Sequence, residues 1–171
     1  MNIDPTDQHA RLKRVKLLLM DCDGVMTDGR IWLTADGDEQ KTFHVRDGQG
    51  IRSLHAAGIE TGIISGRTSN ALARRAAELE MTFLRQGTHD KIAAFEECLS
   101  AASISASQCA YIGDDLADVA VMQRVGFAVA VADAADEAKQ AAHYVTRLRG
   151  GEGAVREVAD LILKANRENS R

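Results

Sequence analysis

The sequence contains little of several features that would point to particular classes of protein. It has one proline and 4% aromatic residues in 171 positions. Its three cysteines are odd in number and form no CxxC pair, which argues against a disulfide framework and against a cysteine-ligated zinc site. Free thiols fit a reducing compartment, so we expect a cytoplasmic protein.

Long apolar runs are also missing. The run at residues 15–20 is far shorter than the roughly 20 residues that a membrane helix needs. The formal net charge of −4 argues against general binding to nucleic acid or to anionic membranes. A chain of this length with 45% hydrophobic residues can bury a sizeable core. We therefore expect one domain over residues 1–171, with its core at about 12–166.

Short apolar runs alternate with alanine-rich segments of helical spacing. The first run is bounded by charges and stops directly before Asp21. Such alternation predicts an α/β fold, a doubly wound parallel sheet with helices on both faces. The predicted strands are residues 15–20, 59–65, 82–84, 109–112, 127–131 and 143–146, and the predicted helices are residues 68–80, 90–102, 116–125, 135–142 and 153–166.

Residues 29–45 interrupt this alternation. Ile31, Trp32 and Leu33 precede an Asp-Gly pair at 36–37, and further apolar residues follow up to Val45. An Asp-Gly pair between apolar runs predicts a β-hairpin with its turn at that pair. The hairpin should follow the first strand directly, as a small insertion in the fold.

Polar residues follow four of the predicted strands, where ligands bind in open parallel sheets. They are Asp21 and Asp23, Ser65, Lys91 at the start of a helix, and the pair Asp114 and Asp115. Converging carboxylates repel one another unless a cation is present, and an oxygen-lined site suits Mg²⁺. We expect Asp21, Asp23 and Asp114 to hold that metal.

This set of residues predicts phosphoryl transfer. Asp21 is the expected nucleophile, because an aspartyl-phosphate intermediate divides hydrolysis into two easier steps. Asp23 is the expected general acid and then general base. Ser65 and Lys91 should stabilise charge on the phosphoryl oxygens. A cysteine phosphatase is excluded at Cys22, since the sixth residue after it is Asp28 and not arginine.

The motifs at residues 17–25 (LLLMDCDGV), 63–67 (IISGR), 91 (K) and 111–118 (YIGDDLAD) resemble those of haloacid dehalogenase-like phosphatases, in the same order. Residues 27–29 (TDG), 43–48 (FHVRDG) and 149–157 (RGGEGAVRE) resemble, more narrowly, the 3-deoxy-manno-octulosonate 8-phosphate phosphatase family. That resemblance implies a Rossmann-like core without a cap domain, Mg²⁺ as cofactor, and a phosphorylated sugar acid as substrate in lipopolysaccharide precursor synthesis. It also implies a homotetramer whose hairpins cap neighbouring sites.

The resemblance further implies a set of substrate-binding residues. Arginine side chains suit both the carboxylate and the phosphate of such a ligand. The implied residues are Asp23, His44, Val45, Arg46, Asp47, Gly48, Arg52, Arg67, Arg75 and Lys91.

Several alternatives stay open. The substrate could be a nine-carbon, sialic-acid-type 9-phosphate, or the chain could be a non-catalytic module that kept the fold. Asp118 could bind metal or only position its neighbours, and the role of Asp115 is open. In the segment 149–157, Arg149 and Arg156 flank the glycines at 150, 151 and 153, and the segment is expected to be a mobile arm over the ligand or else an ordinary helix entry.

Overall fold

The computed structural model describes residues 4–35 and 39–167. A sheet of six parallel strands forms its centre, in the order β5-β4-β1-β6-β7-β8. A separate antiparallel pair, β2-β3, lies outside it. The strands are β1 (Leu17–Met20), β2 (Trp32–Leu33), β3 (Glu39–Gln40), β4 (Glu60–Ile64), β5 (Phe83–Arg85), β6 (Cys109–Gly113), β7 (Phe127–Ala130) and β8 (Tyr144–Val145).

The central strand β1 has the burial of a strand in a parallel sheet that is covered on both faces. All four of its residues are fully buried, as expected for a strand with helices above and below it. It pairs with β4 on one side and β6 on the other. The residues that follow β1, β4 and β6 therefore meet at one edge of the sheet.

Seven α-helices are present among the described residues, and those that contact one another fall into two groups. Helices α1, α2 and α7 pack together, whereas α4, α5 and α6 pack side by side in a second group, and α3 contacts β3. No helix in the described ranges is long and apolar enough to cross a membrane. The helices are α1 (Pro5–Leu12), α2 (Val45–Ala56), α3 (Asn70–Glu78), α4 (Lys91–Ala102), α5 (Leu116–Met122), α6 (Asp136–Ala141) and α7 (Ala154–Arg167).

The hairpin is present, but the predicted range 29–45 is too long at its end. Val45 is the first residue of α2 and not part of a strand. His44 caps this helix, because its Nδ1 accepts a hydrogen bond from the backbone N–H of Arg46 at 3.2 Å. The apolar residues Phe43 and Val45 therefore lie at the start of a helix and not in the second strand of the hairpin. The predicted turn at residues 36–37 lies outside the described residues.

Candidate active site

Asp21 lies directly after β1, at the edge where the strands end. Its backbone N–H donates to the carbonyl of Ile112 at 3.0 Å, which continues the β1–β6 ladder by one residue. Its Oδ1 accepts from the N–H of Cys22 at 2.7 Å, and its Oδ2 lies 3.1 Å from Nζ of Lys91. One carboxylate oxygen is thus fixed by the backbone and the other by a buried cation.

Lys91 is held in place by Asp118, which is fully buried. Oδ1 of Asp118 accepts from Nζ of Lys91 and from the hydroxyl of Tyr111, both at 2.7 Å. Its Oδ2 accepts from the backbone N–H groups of Asp114 at 3.0 Å and Asp115 at 3.3 Å. Both oxygens of Asp118 are therefore occupied, so this side chain orients Lys91 and shapes the loop after β6.

Asp21, Asp114 and Asp118 form a cluster of carboxylates. One oxygen of each lies within 4.8 Å of the others. Burial, opposed by Lys91, raises the pKa of Asp21 to about 6. Burial and the charge of Asp21 raise the pKa of Asp114 to about 8. Burial, with the neighbouring carboxylates, therefore disfavours the ionised form of both side chains when no cation is bound.

A divalent cation fits this cluster. Oδ1 of Asp114 is buried with no hydrogen-bond partner. Gly24 leaves room for the same carboxylate, since a Cβ there would lie 2.0 Å from Oδ2 of Asp114. Carboxylate oxygens are ligands that Mg²⁺ prefers. Asp115 has another contact, because its Oδ1 accepts from the N–H of Leu116 at the start of α5.

Asp23 is paired with residues of the hairpin that the sequence analysis did not select. Its Oδ1 contacts Nζ of Lys41, whose side chain is only 3% exposed. Burial works against the charge of Lys41, but hydrogen bonds to Asp23 and Glu39 and the negative charge of Asp23 outweigh it and raise the pKa of the ammonium group. Arg67 contacts Glu39 and lies 3.8 Å from Oδ2 of Asp23. Glu39 lies in β3 and Lys41 directly follows that strand, and no local sequence pattern selects either residue for the site.

Ser65 lies one residue beyond β4, the strand beside β1, and is 2% exposed. Its N–H donates to the carbonyl of Arg85 at 2.8 Å, and its hydroxyl accepts from the N–H of Arg67 at 3.3 Å. The backbone thus fixes Ser65 at the same edge of the sheet as Asp21.

The other predicted substrate-binding residues form a second group, away from the carboxylates in the described contacts. Val45 and Arg46 are exposed at the start of α2, whereas Asp47 and Gly48 are buried. The remaining two, Arg52 and Arg75, both contact Glu78, and Arg75 lies over the ring of Phe43 at 5.8 Å. Of the predicted arginines, Arg67 is the one in contact with Asp23.

The segment before α7 is packed tightly, which differs from the mobile arm expected there. A Cβ on Gly150 would lie 1.7 Å from the carbonyl oxygen of Gly24. Gly151 has a φ of 69° and donates its N–H to the carbonyl of Val25 at 3.0 Å. These glycines are needed for close contact with the loop after Asp21, and the geometry corresponds to the alternative of an ordinary helix entry.

Comparison with known proteins places this geometry in a family. Residues 81–158 match the model of the haloacid dehalogenase-like hydrolases. The chain is 51% identical over 155 residues to the 3-deoxy-D-manno-octulosonate 8-phosphate phosphatase KdsC of Yersinia pestis, which covers 91% of this chain and 83% of that protein. The chain belongs to the KdsC phosphatase family.

Solved members of this family share the whole fold. The phosphatase from Moraxella catarrhalis, solved with magnesium, phosphate and KDO, is 39% identical with a TM-score of 0.94, covering 98% of this chain and 96% of that chain. The cobalt-bound phosphatase from Haemophilus influenzae is 41% identical with a TM-score of 0.90, covering 94% of each chain. These comparisons confirm the α/β haloacid dehalogenase fold and the hydrolase class.

Proposed function

We propose that this protein is a magnesium-dependent phosphatase that hydrolyses 3-deoxy-D-manno-octulosonate 8-phosphate to the free sugar acid and phosphate. The observation that carries the proposal is its close match to the Moraxella catarrhalis phosphatase that holds magnesium, phosphate and KDO. The reaction belongs to lipopolysaccharide precursor synthesis, and we propose the cytoplasm as its place. The intact acidic cluster argues against a non-catalytic module.

In the first step Asp21 attacks phosphorus while the bond from phosphorus to the sugar oxygen breaks. Asp23 gives its proton to that oxygen, so the sugar leaves as an alcohol. In the second step Asp23, now a carboxylate, takes a proton from water as the water oxygen attacks the aspartyl phosphate. Asp21 is released together with inorganic phosphate.

Lys91 and Ser65 stabilise the phosphoryl group during both steps. Lys91 is buried beside Asp21, so its charge is little screened by solvent. Asp21, Asp114 and the backbone carbonyl of Asp23 are the proposed metal-binding groups. Bound Mg²⁺ would supply the positive charge that offsets these carboxylates and the phosphate.

Only some of the proposed substrate-binding residues contact this cluster in the part of the chain that the structure describes. Arg67 and Lys91 lie beside Asp23 and Asp21 within one chain. The others could contact the same substrate only if the substrate extends beyond the cluster or if they belong to a neighbouring subunit. They are His44, Val45, Arg46, Gly48, Arg52, Arg75 and the backbone of Asp47, whose carboxylate accepts from the N–H of Arg156.

Phosphate release tests the activity directly. The purified protein is assayed with the octulosonate 8-phosphate and with a nine-carbon 9-phosphate, each with Mg²⁺ and with excess chelator. We expect turnover of the eight-carbon substrate only when Mg²⁺ is present. Asp21→Asn should reduce turnover by more than about a thousandfold, because an amide cannot act as the nucleophile. Asp7→Asn, the same change at a half-exposed site on α1, is the matched control and should leave turnover unchanged. Near wild-type activity in Asp21→Asn would refute the mechanism.

We also propose that four chains assemble through their hairpins and so complete one another's sites. The support is an apolar surface on the ribbon, where Trp32 is 60% exposed and Leu33 69% exposed. A two-stranded ribbon is marginally stable unless it packs against something. Val45 is 81% exposed at the adjacent start of α2 and would be covered in the same assembly.

Light scattering on the full chain tests the assembly. We expect the mass of a tetramer for the wild type and a smaller mass for Leu33→Lys. Gln40→Lys adds the same charge on the opposite strand without removing apolar surface, and it should remain tetrameric. A fully active wild-type monomer would contradict this proposal.

A further inference from the structure

Asp47 is a carboxylate that is buried between two helices. It lies in the first turn of α2 and is 2% exposed. Its Oδ1 accepts a hydrogen bond at 2.8 Å from the backbone N–H of Arg156, 109 positions later in the chain. Arg156 is in the first turn of α7, where backbone N–H groups have no partner within the helix. Asp47 therefore caps α7 from a different helix.

The two helices also approach closely beside this cap. Gly50 is one turn after Asp47, so both lie on the same face of α2. A Cβ at Gly50 would lie 3.1 Å from Cα of Arg156 and 3.1 Å from Cβ of Ala159. The absence of a side chain at Gly50 and the carboxylate of Asp47 together set where α7 begins.

The start of α7 is connected in turn to the loop that carries the proposed catalytic carboxylates. Gly150 and Gly151 precede the helix by three to four residues, and they contact Gly24 and Val25 of that loop. Gly24 directly follows Asp23. A shift of α7 by a few tenths of an ångström would therefore be transmitted to Asp23 through these close backbone contacts.

We propose that Asp47 is a positioning residue for the loop of Asp21 and Asp23, acting through the start of α7, and that it does not bind substrate. This inference rests on the proposed phosphatase function. The burial of the side chain supports it, because Asp47 is only 2% exposed and its Oδ1 accepts from the backbone of helix α7. Burial also raises the pKa of Asp47, and the hydrogen bond from Arg156 opposes that effect.

Steady-state kinetics with two substrates test this assignment. The first substrate is octulosonate 8-phosphate, and the second is p-nitrophenyl phosphate, which has no carboxylate or sugar. For Asp47→Ala we expect kcat to fall roughly tenfold or more on both substrates, since small misplacements of catalytic groups are costly. KM for the sugar phosphate should stay within about threefold of wild type. Asp47→Asn should restore most of kcat, because its amide oxygen can accept the same N–H.

Two further variants separate positioning from loss of stability. Gly50→Ala leaves Asp47 intact but pushes against Arg156, and it should lower kcat on both substrates without raising KM. Thr61→Val removes the 2.7 Å hydrogen bond between Thr61 and His55 near the other end of α2. It should lower the melting temperature and leave kcat unchanged.

The outcomes separate this inference from the proposed function. A rise in KM for the sugar phosphate alone, in both Asp47→Asn and Asp47→Ala, would make Asp47 a substrate ligand and overturn the inference. Unchanged kcat in Asp47→Ala, or in Gly50→Ala where Asp47→Ala does not fold, would also overturn it. The ratio of the variant's kcat to the wild-type kcat on p-nitrophenyl phosphate tests the positioning role, whichever sugar acid is the natural substrate. Failure of the wild type on octulosonate 8-phosphate would count against the proposed function alone.

Discussion

Replacing Asp118 with asparagine tests whether this residue organises the site or binds the metal. Asp118 accepts four hydrogen bonds, two at each oxygen, from Lys91, Tyr111 and two backbone N–H groups. Asparagine keeps one acceptor oxygen and replaces the other with an NH₂ donor. Whichever way the amide turns, two buried donors lose their acceptor and face another donor.

The size of the effect follows from the groups that lose their partner. A hydrogen bond to a charged group contributes about 1.5–3 kcal/mol, and a buried donor left unsatisfied costs about 1–3 kcal/mol. Two such losses of a hydrogen bond to a charged group give about 3–6 kcal/mol, a large part of the roughly 5–15 kcal/mol that stabilises a typical domain. We therefore expect Asp118→Asn to lower the melting temperature by about 10 °C. Turnover should fall as well, because Lys91 loses its orientation.

Asp114→Asn should have the opposite effect on stability in metal-free protein. Burial and the charge of Asp21 raise the pKa of Asp114 to about 8, above its ordinary value of 3.8. Between these values the folded state binds more protons than the unfolded state, so this group lowers stability as pH rises. Removing the charge at pH 8 should leave the melting temperature equal or higher. It should also abolish the increase in melting temperature that Mg²⁺ produces in the wild type.

Urea unfolding followed by circular dichroism, with and without Mg²⁺, measures both changes. Equal slopes against urea concentration would show that the two variants unfold comparable surfaces. An Asp118→Asn variant within 1 kcal/mol of wild type would refute the hydrogen-bond argument. An Asp114→Asn variant that is less stable than wild type without metal would refute the charge argument.

Two further perturbations probe the packing around the site and the pH dependence of folding. Gly150→Ala places a Cβ 1.7 Å from the carbonyl oxygen of Gly24, so activity and melting temperature should both fall. In the control Gly58→Ala the new Cβ has no atom within 4 Å, and the change should cost only about 1–2 kcal/mol because of the φ of +76° at that position. Equal effects of the two changes would contradict the tight packing at Gly150. Burial lowers the pKa of His143 from its ordinary value of 6.5, and its Nδ1 accepts from the N–H of Ala128 at 2.9 Å. The unfolded state therefore gains protons first as pH falls below 6.5, and the melting temperature should fall less between pH 7 and 5 in His143→Gln than in wild type.

The parts of the fold that sequence could predict are those encoded by local patterns. The buried run 17–20 and the alternation of strands with alanine-rich helices each depend on neighbouring residues. Residues 43–56 show the limit of that reasoning. Phe43 and Val45 alternate as in a strand, but a helix forms because His44 caps it and Gly50 is tolerated against α7.

The site divides in the same way between local and long-range information. Asp21, Asp23 and Asp114 follow strands directly, so the topology of a parallel sheet was enough to bring them to one edge. The contact of Lys41 with Asp23 depends on how the hairpin folds back over the sheet, and Lys41 alone looks like a solvated charge. Its pairing depends on tertiary structure that no local periodicity encodes.

Asp47 illustrates how the structure can suggest, for a residue selected from a motif, a role other than the one that the resemblance implies. The resemblance grouped it with ligand-binding residues of the 43–48 segment, whereas its carboxylate lies against α7. The 149–157 segment was selected separately, as an arm with a hinge. In the structure these two segments form one contact, and Gly150 and Gly151 extend it to the loop after Asp21. Two motifs distant in sequence therefore form one support for that loop, so a change in either should affect kcat before it affects substrate affinity.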